Sequence, residues 1–99
     1  MKVESKKELI EELTKIKPIL NNDFGVLKIG VFGSFAKDNI NSNSDVDLLV
    51  EMKSPDFDSF VGLKIYLEKL FERNVDLVRK RNLIKPSFLK RIQKDIINV

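Results

Sequence analysis

A short apolar run, Val26 to Phe32, is cut off at Gly33-Ser34, a polar loop follows, and a second apolar run, Val46 to Met52, begins with Asp45 and Asp47 on either side of its first residue. Both runs are rich in β-branched residues and bounded by glycine or polar clusters, so they read as strands. In a strand, residues i and i+2 share a face, which turns Asp45 and Asp47 one way and Val46, Leu48 and Val50 the other. The rise per residue puts the two aspartate Cα atoms ~6.5–7 Å apart. Carboxylates that close repel each other unless a cation lies between them. Asp76, in NVDLV, repeats the pattern between Val75 and Leu77 in a third apolar run, Val75 to Val78. If the second and third strands are neighbours, Asp76 comes within reach of the same ion.

The rest of the chain supplies helices for such a sheet. Ser5-Lys6-Lys7-Glu8 fits a capping box, and Leu9, Leu13, Ile16 and Leu20 recur at helical spacing, with Pro18 expected to kink or end the helix near Lys17. Asn22-Asp23 and Gly25 form a turn signal. Ser54-Pro55-Asp56 marks a second helix start, with Asp56 or Asp58 as cap and Phe60, Leu63, Leu67, Leu70 and Phe71 as the apolar face. That helix should run to about Arg73 and break at Asn74. Lys85-Pro86 opens a last helix with Phe88, Leu89 and Ile92 inward, and Ile96 to Val99 reads as a terminal edge strand. The fold expected is α+β, a two-layer α/β arrangement in which helices lie mainly on one face of a small mixed sheet. The strands flanking the Gly33–Ser44 loop would pair as a long-looped hairpin, with the third beside one of them. Residues 1–99 read as one domain, with no internal repeat or linker.

Composition narrows the chemistry. The chain has no Cys and no His, so thiolate nucleophiles, Cys-based zinc sites, histidine general bases and Ser-His-Asp triads are all excluded. Catalysis would fall to carboxylates, Lys, Tyr or hydroxyls, and a bound metal would be a hard, oxygen-liganded ion such as magnesium. Three carboxylates suit Mg2+, whose remaining positions take water and phosphate oxygens. Gly33 lets backbone approach a ligand closely, Ser34 adds a hydroxyl and the amides of a short helix start, and Lys37 places a point charge one turn on. No GxxxxGK[ST] P-loop is present. Each feature alone is common in ordinary turns and edge strands; their order along the chain is what points to a site. Between Arg79 and Lys94 lie seven basic residues and no acidic one. This run reads either as the solvated side of a helix or as an anion contact to a triphosphate, a nucleic acid or an acidic protein face. Lacking interleaved aromatics or Arg-Gly repeats, it supports nucleic-acid binding only weakly. No apolar run approaches a membrane span and no signal-peptide pattern opens the chain, so the expected setting is the cytoplasm.

The stretch FGSFAKDNINSNSDVDLLV followed by NVDLV resembles the minimal nucleotidyltransferases of the DNA polymerase β superfamily, whose pattern is GSxARG…SDxDLxV with a third Asp on a later strand. The resemblance implies that fold, with Gly33 and Ser34 at the nucleotide, Asp45 and Asp47 as metal-binding pair, and Asp76 as third carboxylate and general base. It further implies ATP as substrate, Mg2+ as cofactor and a HEPN-domain toxin as partner, whose tyrosine receives AMP. A binding-only antitoxin that masks its partner, or transfer to a small-molecule hydroxyl, are the alternatives. Lys37 stands where the family has Arg, which keeps charge but loses the bidentate fork. Asp38 stands where Gly is usual, which adds an anion near the loop and removes a residue free to take positive φ, a conformation Asp tolerates better than most residues.

Overall fold

The structure is a computed structural model that describes residues 2–53, 56–80 and 85–99. Along the chain run α1 (Lys6–Phe24), β1 (Val26–Phe32), α2 (Gly33–Ala36), β2 (Val46–Met52), α3 (Phe57–Phe71), β3 (Val75–Arg79), α4 (Pro86–Gln93) and β4 (Ile97–Asn98). The capping box forms at α1: the Glu8 amide donates to Ser5 Oγ at 3.1 Å. The Ser5 hydroxyl in turn donates to Glu8 Oε1 at 3.5 Å, so the glutamate reaches back to the hydroxyl of Ser5.

The stop expected near Lys17 does not occur. α1 continues through Pro18 to Phe24 and closes at Gly25, which has φ 69° and donates its amide to the carbonyls of Asn21 and Leu20. A proline inside a helix costs roughly 3 kcal/mol, through one lost backbone hydrogen bond and the clash of its ring with the carbonyl four residues back. Pro18 is on the exposed side, whereas ending there would uncover Leu20, which is buried in line with Leu9, Leu13 and Ile16. Burying one leucine contributes about 1.5–3 kcal/mol. The last turn also places Phe24 against Tyr66, ring centroids 5.4 Å apart. Packing on the far side of the proline therefore offsets its cost.

The sheet is mixed, in the order β3-β2-β1-β4. β1 runs antiparallel to β2 and β4, and β2 runs parallel to β3. A parallel neighbour needs a crossover connection, which α3 provides. Asp56 caps α3, accepting from the Asp58 amide and the Ser59 hydroxyl, each at 3.1 Å. Ser54 and Pro55 of that start signal, like Arg81 of the basic run, lie outside the described residues. α3 ends at Phe71 because Glu72 turns left-handed with φ 54°, earlier than the break expected at Asn74. Val31, Leu48, Val50 and Leu77 project from one face of the sheet into a core with Leu9, Leu13, Leu63, Leu67 and Phe71 of α1 and α3. No helix among the described residues is long and apolar enough to cross a membrane.

Candidate active site

The face opposite the core carries the carboxylates. Asp47 and Asp76 are register partners across the parallel pair β2–β3, each between neighbours buried in the core. On its other side Asp47 is paired with Phe32, the last residue of β1, so the chain leaves β1 beside Asp47. The next residue is Gly33, with φ 71°. A Cβ on Gly33 would collide with Oδ2 of Asp47 and lie 2.8 Å from its Cγ. Handedness and space thus both require glycine here, and the absent side chain lets backbone meet a carboxylate directly.

Ser34, half-buried, lies in the single turn of α2, which starts one residue earlier than a start at Ser34. A helix leaves its leading amides without partners inside the turn. The far end folds back instead: the Lys37 amide donates to the Gly33 carbonyl at 3.2 Å and the Asn39 amide to that of Ser34 at 2.9 Å. Asp45 is exposed and stands one residue ahead of β2, at the end of the loop.

The three carboxylates are electrostatically joined. Burial pushes Asp47 up from 3.8 to about 6, and the charges of Asp76 and then Asp45, with a hydrogen bond to Asp76, push in the same direction. Half-buried Asp47 is therefore the point at which the fields of the other two converge. Among the described residues no three such side chains already form a cage for an ion. The donor set nonetheless suits a hard divalent cation: acceptor-only oxygens whose mutual repulsion a positive charge would relieve.

Arg73 carried no signal in the sequence. Its side chain is buried, at 8% exposure, behind the loop that leads to Asp45. Nε donates to the Val3 carbonyl at 2.6 Å, and Nη1 donates to the carbonyls of Asn41 at 3.0 Å and Ser44 at 2.8 Å. The guanidinium also lies 5.2 Å from the ring centroid of Phe35, the residue after Ser34. One side chain thereby fixes both ends of the loop that separates Gly33-Ser34 from Asp45. Only an arginine just past a helix end was visible beforehand; its partners are carbonyls 29 to 70 residues away.

At the two positions that depart from the family pattern, the local geometry is specific. Asp38 has φ 55°, the left-handed conformation a glycine would take, and its Oδ1 accepts from the Lys6 amide at 3.4 Å. A carboxylate at the start of α1 complements the helix dipole. Lys37 extends towards Asp95, Nζ to Oδ2 3.8 Å, with both side chains well exposed.

The family described as polymerase beta nucleotidyltransferase matches residues 14–99. The chain belongs to this family. As a nucleotidyltransferase it is 39% identical over 93 residues to the protein adenylyltransferase MntA of Thermococcus cleftensis, covering 93% of each chain. It is 37% identical over 95 residues to a Methanocaldococcus jannaschii protein provisionally named a protein adenylyltransferase, covering 93% of this chain and 95% of that one. A solved structure provisionally assigned as a minimal nucleotidyltransferase superposes with a TM-score of 0.81 at 25% identity, over 96% of each chain. A Shewanella oneidensis complex of tri-AMPylated HEPN toxin with MNT antitoxin shares the fold, with a TM-score of 0.61 at 22% identity over 88% of this chain and 69% of that one.

Proposed function

We propose that this nucleotidyltransferase is an antitoxin that moves AMP from ATP to a tyrosine hydroxyl of a HEPN-type toxin, with magnesium as cofactor. The observation that carries the reading is the register pair Asp47–Asp76 with Gly33 pressed against Asp47, which puts a paired carboxylate beside the backbone turn of Gly33-Ser34. Relatives named protein adenylyltransferase, at 37–39% identity, support the reaction class. The Shewanella complex, with its AMPylated HEPN toxin, supports the partner.

Asp45, Asp47 and Asp76 would hold the metal, which when bound neutralises charge on the triphosphate. Gly33 and Ser34 bind the phosphate tail through backbone amides and the serine hydroxyl, and Lys37 adds a point charge. Asp76, exposed at the edge of the sheet, accepts the proton of the incoming tyrosine hydroxyl. The tyrosine oxygen forms a bond to the α-phosphorus, the bond from that phosphorus to the bridging oxygen breaks, and pyrophosphate leaves. Most of the rate gain in such a site comes from positioning and preorganised charge.

The test is transfer from ATP labelled at the α-phosphate to the cognate toxin in magnesium. Label should appear on toxin tyrosine with the wild type, not with γ-labelled ATP and not with Asp45→Asn/Asp47→Asn. Absence of transfer by the wild type, or undiminished transfer by the double variant, would sink the proposal. One observation favours stoichiometric masking as a second reading: Lys37, the cation of the phosphate turn, is already shared with Asp95.

A further inference from the structure

The basic run near the C-terminus can now be divided. Lys80, Lys90 and Lys94 are exposed. Arg91, on α4, is exposed as well but also lines a cavity of about 250 Å³ together with Phe32, Gly33 and Lys37. Gly33 is the residue that touches Asp47, so this cavity borders the carboxylate site on the side where the chain turns out of β1. We infer that Arg91 binds the phosphate tail of the nucleotide in this cavity, an inference that rests on the nucleotidyl-transfer reading.

Three features carry it. The Arg91 guanidinium lies 5.9 Å from the ring centroid of Phe88, one turn back on α4 and also in the cavity wall. That contact orients a planar fork suited to two phosphate oxygens at once. Charge is the second feature. Among the described residues no carboxylate pairs with Arg91, whereas Lys37 leans on Asp95 at 3.8 Å. Asp95 lines the cavity too, so its walls carry two cations against one carboxylate, a net positive charge for a ligand. Size is the third. The cavity falls below the ~300–1,000 Å³ of sites that enclose a whole small molecule. A phosphate tail fits inside, with the nucleoside lying outside, toward the carboxylates. An anion approaching three aspartates is repelled, and a guanidinium in the wall of the adjoining cavity counters that repulsion.

The test is equilibrium binding of magnesium-ATP and of magnesium-tripolyphosphate at fixed physiological salt. Wild type is compared with Arg91→Ala, Arg91→Lys and Lys90→Ala. Loss of a charge-assisted hydrogen-bonding fork should weaken both probes about tenfold to a hundredfold in Arg91→Ala. Arg91→Lys should fall between, keeping charge without the fork, and Lys90→Ala should bind within about twofold of wild type. Arg91 is exposed, so Arg91→Ala should melt with the wild type. Wild-type binding that Arg91→Ala leaves unchanged overturns this inference alone. An equal loss in Lys90→Ala overturns it too, since the effect would then be the general field of α4. A wild type that binds neither probe overturns the nucleotidyl-transfer reading and this inference with it.

Discussion

Asp47 concentrates the conflict on which the site is built. Its folded value of about 6 lies above the ordinary 3.8, so folding favours its protonated form. In the metal-free protein the stability this represents is fully present below about pH 4 and is lost as pH rises through 6. Asp47→Asn cannot ionise. In chelator its melting temperature should therefore pull ahead of the wild type between pH 4 and 7 and stay ahead above. The carboxylate is half-exposed, so solvent screening holds the gain to about 1 kcal/mol, or some 4–8 °C. Saturating magnesium should remove the advantage, by giving the wild-type carboxylates a counter-charge; a gap between variant and wild type that does not change with pH would contradict the account. Gly33→Ala tests the neighbouring residue. Its Cβ would enter the space of the Asp47 carboxylate and demand a left-handed alanine, so transfer activity should fall at least a hundredfold while far-ultraviolet circular dichroism remains that of a folded protein. At this scale the aspartates and Gly33-Ser34 were legible, because strand alternation and glycine chemistry are local. Arg73 was not, because a guanidinium bonded to distant carbonyls leaves no spacing to read.

Elements differ in how far local signals decide them. β1 and β2 matched their apolar runs end to end, since seven-residue runs closed by Gly33 and by polar residues leave little freedom. α1 overran its proline because the stripe of Leu9, Leu13, Ile16 and Leu20 is a tertiary demand, one that a local breaker rule does not weigh. Pro18→Ala should accordingly stabilise the protein, restoring a backbone donor on an exposed turn at a gain of about 1–3 kcal/mol in urea denaturation, with transfer activity unchanged. A loss of stability would mean that the proline itself sets the course of α1. Arg73 is the opposite case, a joint between elements. It ties the segment before α1, the loop before β2 and the end of α3 together through three carbonyls. Arg73→Ala leaves the buried Val3 carbonyl without its donor and removes the guanidinium from the part-buried carbonyls of Asn41 and Ser44, and should cost about 2–3 kcal/mol, a large share of the 5–15 kcal/mol typical of a domain. Arg73→Lys keeps the charge but cannot span all three, so its denaturation midpoint should lie between the two.

For the whole molecule, the sheet divides the labour. One face is closed by α1 and α3, and the other presents Asp47 and Asp76. The radius of gyration is 12.7 Å, close to the roughly 13 Å expected of a compact chain of this length. On the other face Asp47 is half-buried and Asp76 exposed. The layer arrangement followed from the alternation of strands and helices. The strand order β3-β2-β1-β4 did not, because pairing β2 with β3 in register depends on how α3 crosses the sheet. That crossover is what makes partners of Asp47 and Asp76, residues far apart in the chain. Their partnership also separates the two readings of antitoxin action. If the site transfers AMP, a small amount of protein with magnesium-ATP should silence a large molar excess of toxin, and residual toxin activity should decay with time. Asp45→Asn/Asp47→Asn should then protect only in proportion to the amount added. If wild type and double variant instead titrate the toxin along the same straight line to equivalence, with ATP making no difference, the protein acts by masking and the carboxylate pair is not used for transfer.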